Sequence, residues 1–278
     1  MIYKKFEGNS ASVQIENIDE KDPYTGIGAK AFLSCKDVYE IRLPDTVCEI
    51  GNWAFAHMKE LKRIIVPANN IAIGKDAFLD CDNLKEVVVY PVDFEESRLS
   101  YLMASCITVL KSDRLLDFKL AAEQNNVWSK LYDEELLYFI SQDDAANFQP
   151  VIVGWFNDEG EEEQLQRYVK KVKSDKINIC FLRLKYDSHM EDKTREMLLT
   201  YIKKHINPSG DTWEIIKHIL SSDIEYTKLV VNNGLLNDEL ISELISFFNS
   251  NNASTEIVAY LVMSITGNNE SIDKQFEL

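Results

Sequence analysis

The sequence predicts an α/β repeat solenoid with a short parallel sheet, followed by an all-α helical-repeat domain. Three observations carry this. One unit recurs three times at a spacing of 23 residues, beginning at Ile27-Gly28, Ile50-Gly51 and Ile73-Gly74. Each start is followed by an Ala-Phe pair (Ala31-Phe32, Ala54-Phe55, Ala77-Phe78) and by an apolar triplet: Val38, Ile41, Leu43; Leu61, Ile64, Val66; Leu84, Val87, Val89. From Val127 onward the apolar pattern has the period of a helix instead.

The triplets read L-x-x-I-x-I, the strand signature of leucine-rich repeats. Alternation within each points Ile41/Leu43, Ile64/Val66 and Val87/Val89 inward. Pro44 and Pro67 end the first two strands, because proline cannot donate to a ladder. Gly28, Gly51 and Gly74 mark the far-side turn, where φ > 0 or a close backbone approach is expected. The Ala-Phe pair is expected on a short helical turn, with Phe filling the core between coils. One coil cannot bury its own apolar edge, so stability comes from the interfaces between neighbours.

The turns IGAKAFLSC (27–35), IGNWAFAHM (50–58) and IGKDAFLDC (73–81), each with its strand, resemble the BspA-type leucine-rich repeats of bacteria. The resemblance implies a recognition surface, and many proteins of that type are exported to the cell surface. The rest of the chain is read from its own pattern.

Before the first full copy, Val13, Ile15 and Ile18 predict a degenerate capping strand, with Ile15 and Ile18 in register with Val38 and Ile41. After Val89 a helix over 95–106 is expected, then a last strand at Ile107-Thr108-Val109, then a helix capped by Ser112 and running to Gln124. The domain boundary is placed at 126/127: residues 1–126 form the array with its caps, residues 127–278 the helical repeats. Expected helices there are 131–141, 144–157, 161–173, 175–186, 191–205, 211–221, 224–233, 238–249 and 255–265, in antiparallel hairpins. Residues 256–262 resemble the second helix of an ankyrin repeat, and Gly234 and Gly267 lie one ankyrin period apart, so residues 211–267 read as ankyrin-like hairpins.

A formal net charge of −16 argues against nucleic acid or an anionic membrane as partner. No run of about 18 apolar residues exists to span a membrane, and MIYKKFEGNSASVQ lacks a signal-peptide core. Five cysteines include Cys35 and Cys81, two coils apart. At about 4.8 Å per strand they are beyond disulfide reach and read as small core residues, as Met58 does. A reducing cytoplasm is therefore expected.

The four histidines, His57, His189, His205 and His218, show no metal-ligand spacing, and no nucleophile or phosphate-binding motif is present. No cofactor, metal or small-molecule substrate is expected. Outward strand positions remain, in three rows: Tyr39, Lys62, Lys85; Glu40, Arg63, Glu86; and Arg42, Ile65, Val88. The turns carry Lys30, Asn52, Lys75 and Asp76, which share no chemistry from copy to copy, so the strand face is the expected binding site. The expected function is a non-catalytic protein-interaction module with a protein partner. The alternatives are a cell-surface adhesion protein, or an enzyme in whose helical half His189 or His205 meets two carboxylates.

Overall fold

A computed structural model describes residues 1–17, 19–91, 99–149, 160–251 and 254–265. It divides into two compact units, Met1–Phe139 with Tyr186–Met190, and Ile140–Lys185 with Glu191–Leu278. The first is a solenoid with short parallel sheets, the second a helical region.

The solenoid strands are β1 (Ile2–Tyr3), β2 (Ser12–Gln14), β3 (Gly26–Ile27), β4 (Glu40–Arg42), β5 (Glu49–Ile50), β6 (Arg63–Pro67), β7 (Ala72–Ile73) and β8 (Glu86–Tyr90). They form two parallel sheets, β2-β4-β6-β8 and β1-β3-β5-β7. The first sheet carries the apolar triplets, with Ile41, Ile64 and Val87 in one buried row and Leu43, Val66 and Val89 in the next. The second sheet was not expected. Its strands are two residues long, too short for alternation to show, and sit where the sequence suggests only turn starts. Ile27 and Ile50 are buried there.

Between these sheets the Ala-Phe segments are turns rather than helical turns. Each contains two residues at left-handed φ, Lys30 and Ser34, Trp53 and His57, Asp76 and Asp80, and left-handed residues interrupt a right-handed helix. Alternate amides then reach the next coil: Lys30, Phe32 and Ser34 donate to the carbonyls of Asn52, Ala54 and Ala56 at 3.0, 2.7 and 2.9 Å. Trp53, Phe55 and His57 donate likewise to Lys75, Ala77 and Leu79. The phenylalanines stack in a column, 5.5 Å between Phe32 and Phe55 and 5.2 Å between Phe55 and Phe78, with Tyr3 and Phe6 on its N-terminal end.

The N-terminal register differs from expectation. Val13 pairs with Ile41, and Ile15 follows into the Leu43 position, so this coil is longer than the others. Ile18 lies outside the described residues. At the other end, helix α1 (Leu99–Ser105) packs on β8; the expected helix start at 95–98 lies outside the described residues. Ile107-Thr108-Val109 is not a strand. It continues α1 as a π-helical turn, Cys106–Leu110, closed by Lys111 at φ 49°. Ser112 precedes only a short 3₁₀ turn, Asp113–Leu115, and its side chain caps nothing. The following helix α2 (Phe118–Glu123) is capped by Asp117, which accepts from the Leu120 amide at 2.8 Å. Helix α3 (Asn125–Ser141) contains the expected 126/127 boundary. It carries Trp128, whose Nε1 donates to the Leu115 carbonyl, and Tyr132, whose hydroxyl lies 2.7 Å from that of Ser105; both rings are fully buried.

Further helices are α4 (Glu161–Lys185), α5 (Asp192–His205), α6 (Trp213–Ser222), α7 (Ile224–Asn232), α8 (Asp238–Ser250) and α9 (Thr255–Ile265). The two helices expected over 161–186 are one. Ser174 only lowers helix propensity, and its carbonyl and hydroxyl both accept from Asn178 one turn on. Residues 144–147 are a turn rather than a helix, because the Asp143 carboxylate takes the Ala145 amide; residues 150–157 of that expected helix lie outside the described residues, as does Gly267. Successive helices pair as α6 with α7 and α8 with α9, while α6 also packs on α8 and α7 on α9. That is the nearest-neighbour stacking of helical repeats.

Candidate interaction surface

Parallel pairing of β4, β6 and β8 puts the outward side chains in rows across three coils. Glu40, Arg63 and Glu86 are in register. Arg63 Nε lies 3.4 Å from Glu86 and its Nη1 3.9 Å from Glu40, while the Ser12 hydroxyl donates to Glu40 at 3.1 Å. Arg63 bridges the two carboxylates and leaves the row one negative charge. Partly buried pairs at such long separations contribute about 0–1 kcal/mol, and their acid-base-acid order fixes which charge a partner meets at each position.

The next row is Arg42, Ile65 and Val88. Ile65 and Val88 are half-buried, less exposed than outward positions on a bare sheet suggest. Arg42 is not a free rim cation. Its guanidinium lies 4.3 Å from the centre of the Tyr90 ring, and the Tyr90 hydroxyl donates to the Leu43 carbonyl at 2.6 Å. Burial pushes the Tyr90 phenol up, against a smaller opposing effect of Arg42. Tyr90 thus reaches over the sheet from β8 to the end of β4. The sequence reading missed it, although it continues the outward series Glu86, Val88 at the period of two. Beside it an open cavity of about 350 Å³ is lined by residues that include Gln14, Glu16, Arg42, Asp45 and Tyr90. The third row, Tyr39, Lys62 and Lys85, is exposed, Tyr39 by 46%.

The turn side is more ordered than its sequence suggests. Lys30 lies over the Trp53 ring at 5.1 Å, and Trp53 Nε1 donates to Asp76. Asn52 accepts the Lys75 amide at 2.8 Å. His57 meets Asp80 at 3.0 Å and Lys59 meets Asp82 at 3.1 Å. The copies differ in residue type because these positions pair from one coil to the next. Leu33, Trp53 and Leu79 are exposed on this side.

His189 is exposed at a left-handed turn, and His205 Nδ1 lies 2.8 Å from the Tyr201 carbonyl. His218 lines a second-unit cavity of about 770 Å³ with Asp211 and Glu214. Lys173 holds Asp211 at 2.7 Å and keeps its carboxyl below the usual value, while Lys217 holds Glu214 at 2.5 Å. Both carboxylates are therefore engaged. Among the described residues no group of three His, Cys, Asp or Glu side chains is placed to hold a metal ion. Burial pushes the Cys81 thiol up to about 12 and those of Cys106 and Cys180 well above their ordinary value, so these cysteines stay protonated. Cys35 is only half-buried, not a core residue like Met58, because its turn faces solvent there. Among the described residues no helix is long and apolar enough to cross a membrane.

Residues 7–110 match the family described as BspA type leucine rich repeat region, in six copies. The match covers β2 through the π-helical turn, so this segment is a BspA-type repeat region and the helical unit lies beyond it. Neither a curated protein nor a solved structure matches the chain.

Proposed function

We propose that the BspA-type repeat region serves as a non-catalytic protein-interaction module of the cytoplasm, reading its partner with the strand face. Repeat regions of this kind generally mediate protein–protein interaction or adhesion. The observation that carries the reading is the registered block on three adjacent strands: half-buried Ile65 and Val88 at the centre, the Glu40–Arg63–Glu86 row on one side, and the Arg42–Tyr90 stack on the other. An apolar centre with an aromatic and arginines around it is the composition of recognition patches. The net charge of −16 favours a basic or neutral partner.

The test is affinity capture with the native chain and with the double variant Ile65→Asp, Val88→Asp. The inward rows are untouched, so circular dichroism and melting should show a folded protein. Charge at the patch centre must be desolvated on binding, and partner recovery should fall at least about tenfold, the equivalent of 1.4 kcal/mol. A folded variant that recovers the same partners in the same amounts would remove the strand face from consideration.

A further inference from the structure

The two inner coil interfaces on the turn side are closed by the same ladder, in which every second amide of one coil donates to a carbonyl of the next. The third coil has the same backbone, including the left-handed residues Asp76 and Asp80. By the repeat, its donors are the amides of Asp76, Phe78 and Asp80, on the side facing away from the second coil. No hydrogen bond is formed by these three amides among the described residues. They face a cavity of about 260 Å³ whose wall is the last turn, Ile73 to Asp82, and whose other wall is the capping segment from Cys106 to Leu116. Helix α1 covers the strand side of the array at β8, but on the turn side the cap leaves this space. Phe78, the end of the ring column, is 8% exposed, whereas Phe32 and Phe55 are fully buried.

Three features fix the chemistry of an occupant. Donors on alternate residues match the carbonyls of an extended chain, which repeat on the same side every two residues. Phe78 reaches the cavity wall, where it is 8% exposed, and favours an apolar side chain beside it. The cavity wall carries Asp76, Asp80, Asp82 and Asp113 against Lys75 and Lys111, and although Lys59 meets Asp80 and Asp82 from outside, a small acidic excess is left. Cys81 and Cys106 also line it, but their thiols donate to the Phe55 and Leu102 carbonyls and bring no thiolate.

We propose that this coil edge is a docking site for an extended basic segment of a partner protein, whose carbonyls accept from the Asp76, Phe78 and Asp80 amides and which sets an apolar side chain beside Phe78. The mode is strand addition, with main-chain bonds supplying affinity and one side-chain pocket supplying selectivity. The site lies apart from the strand face and does not rest on that reading.

Amide exchange followed by NMR on the full chain tests it. In the free protein the amides of Asp76, Phe78 and Asp80 should exchange at least about tenfold faster than those of Trp53, Phe55 and His57, their bonded counterparts. The probe is the synthetic peptide IGKKAFAKM, the Ile50–Met58 turn with Asn52, Trp53 and His57 changed to lysine. It should slow the three amides together by about tenfold or more. The acidic version IGEEAFAEM should bind at least about tenfold more weakly. Thr108→Trp, which fills the cavity from the cap, should abolish peptide binding, while Ile65→Asp with Val88→Asp should leave it intact. The proposal is overturned if the three amides are already as protected as their counterparts, or if the peptide protects other amides only. Equal binding of the acidic peptide overturns it as well. Protection that grows with protein concentration alone would make the occupant a second copy of this chain, and would also overturn it.

Discussion

Glycine at the start of the second and third turns is required by distance rather than by φ. A Cβ on Gly51 would lie 2.5 Å from the Ala29 amide nitrogen, and one on Gly74 2.5 Å from that of Asn52. Backbone of the preceding coil is the obstacle, and it cannot swing away as a side chain could. Gly51→Ala should therefore separate two coils and cost about 1–3 kcal/mol, as overpacking does. Gly160, with nothing within 4 Å of its would-be Cβ, is the control: its carbonyl accepts the first bond of α4, so Gly160→Ala should cost only the loss of a better N-cap, at most about 1 kcal/mol. Equal effects of the two substitutions in thermal melts would refute the close-approach account. The sequence offered both φ > 0 and close approach for these glycines. Spacing alone does not choose between them, since both require a missing side chain. What it conceals is that the left-handed positions fall on Lys30, Ser34, Trp53, His57, Asp76 and Asp80, of which only His57, Asp76 and Asp80 are of types that favour it.

At the scale of the element, the ring column ties the turns into one stack. Phe55 is fully buried with a ring on either side, whereas Phe78 has one ring neighbour among the described residues and some exposure. Phe55→Ala should cost about 3–5 kcal/mol, and Phe78→Ala distinctly less. Chemical denaturation of the two variants measures both, and a larger loss from Phe78→Ala would show that the column is not what holds the coils. The strands of the triplets were legible because a buried face imposes a period of two over five residues, as at Ile64/Val66 and Val87/Val89. The strand row of the candidate site was legible for the same reason. Tyr90 was not singled out, because its value comes from reaching a carbonyl on β4, a contact far away in sequence. The strand expected at Ile107–Val109 failed because β-branched residues only bias a segment, and here Cys106 and Ile107 bury themselves as a helical continuation of α1.

For the molecule as a whole, the question is where the array ends. Helix α3 delivers Trp128 and Tyr132 into the first unit, with hydrogen bonds to the Leu115 carbonyl and the Ser105 hydroxyl. A fragment of residues 1–126 loses both rings, while one of residues 1–141 keeps them. The longer fragment should melt cooperatively and the shorter one at a much lower temperature, since burying each large aromatic is worth about 3–5 kcal/mol. Indistinguishable melts would place the boundary at 126/127 after all. The helical half was legible wherever amphipathic stretches were bounded by true breakers, as Asn232-Asn233-Gly234 bounds α7. It misled where a serine was read as a stop, at Ser174.

The register that pairs Ile27 with Ile50 and Ile50 with Ile73 has a genetic consequence. Residues 49 to 71 make one complete period, so a second copy of that stretch inserted after Ile71 keeps the backbone register at every joint, with Arg63 beside its own copy at the new one. Each new coil meets a neighbour identical in backbone to the one it displaces. Recombination between misaligned copies would add or remove whole periods while leaving the two ends as they are. In an added period the exposed position of Tyr39, Lys62 and Lys85 meets no packing demand, so it is free to diverge, while that of Glu40, Arg63 and Glu86 must still match its neighbours in charge. Lineages of such genes should differ in length by steps of one period, and vary most at the positions of Tyr39, Lys62 and Lys85.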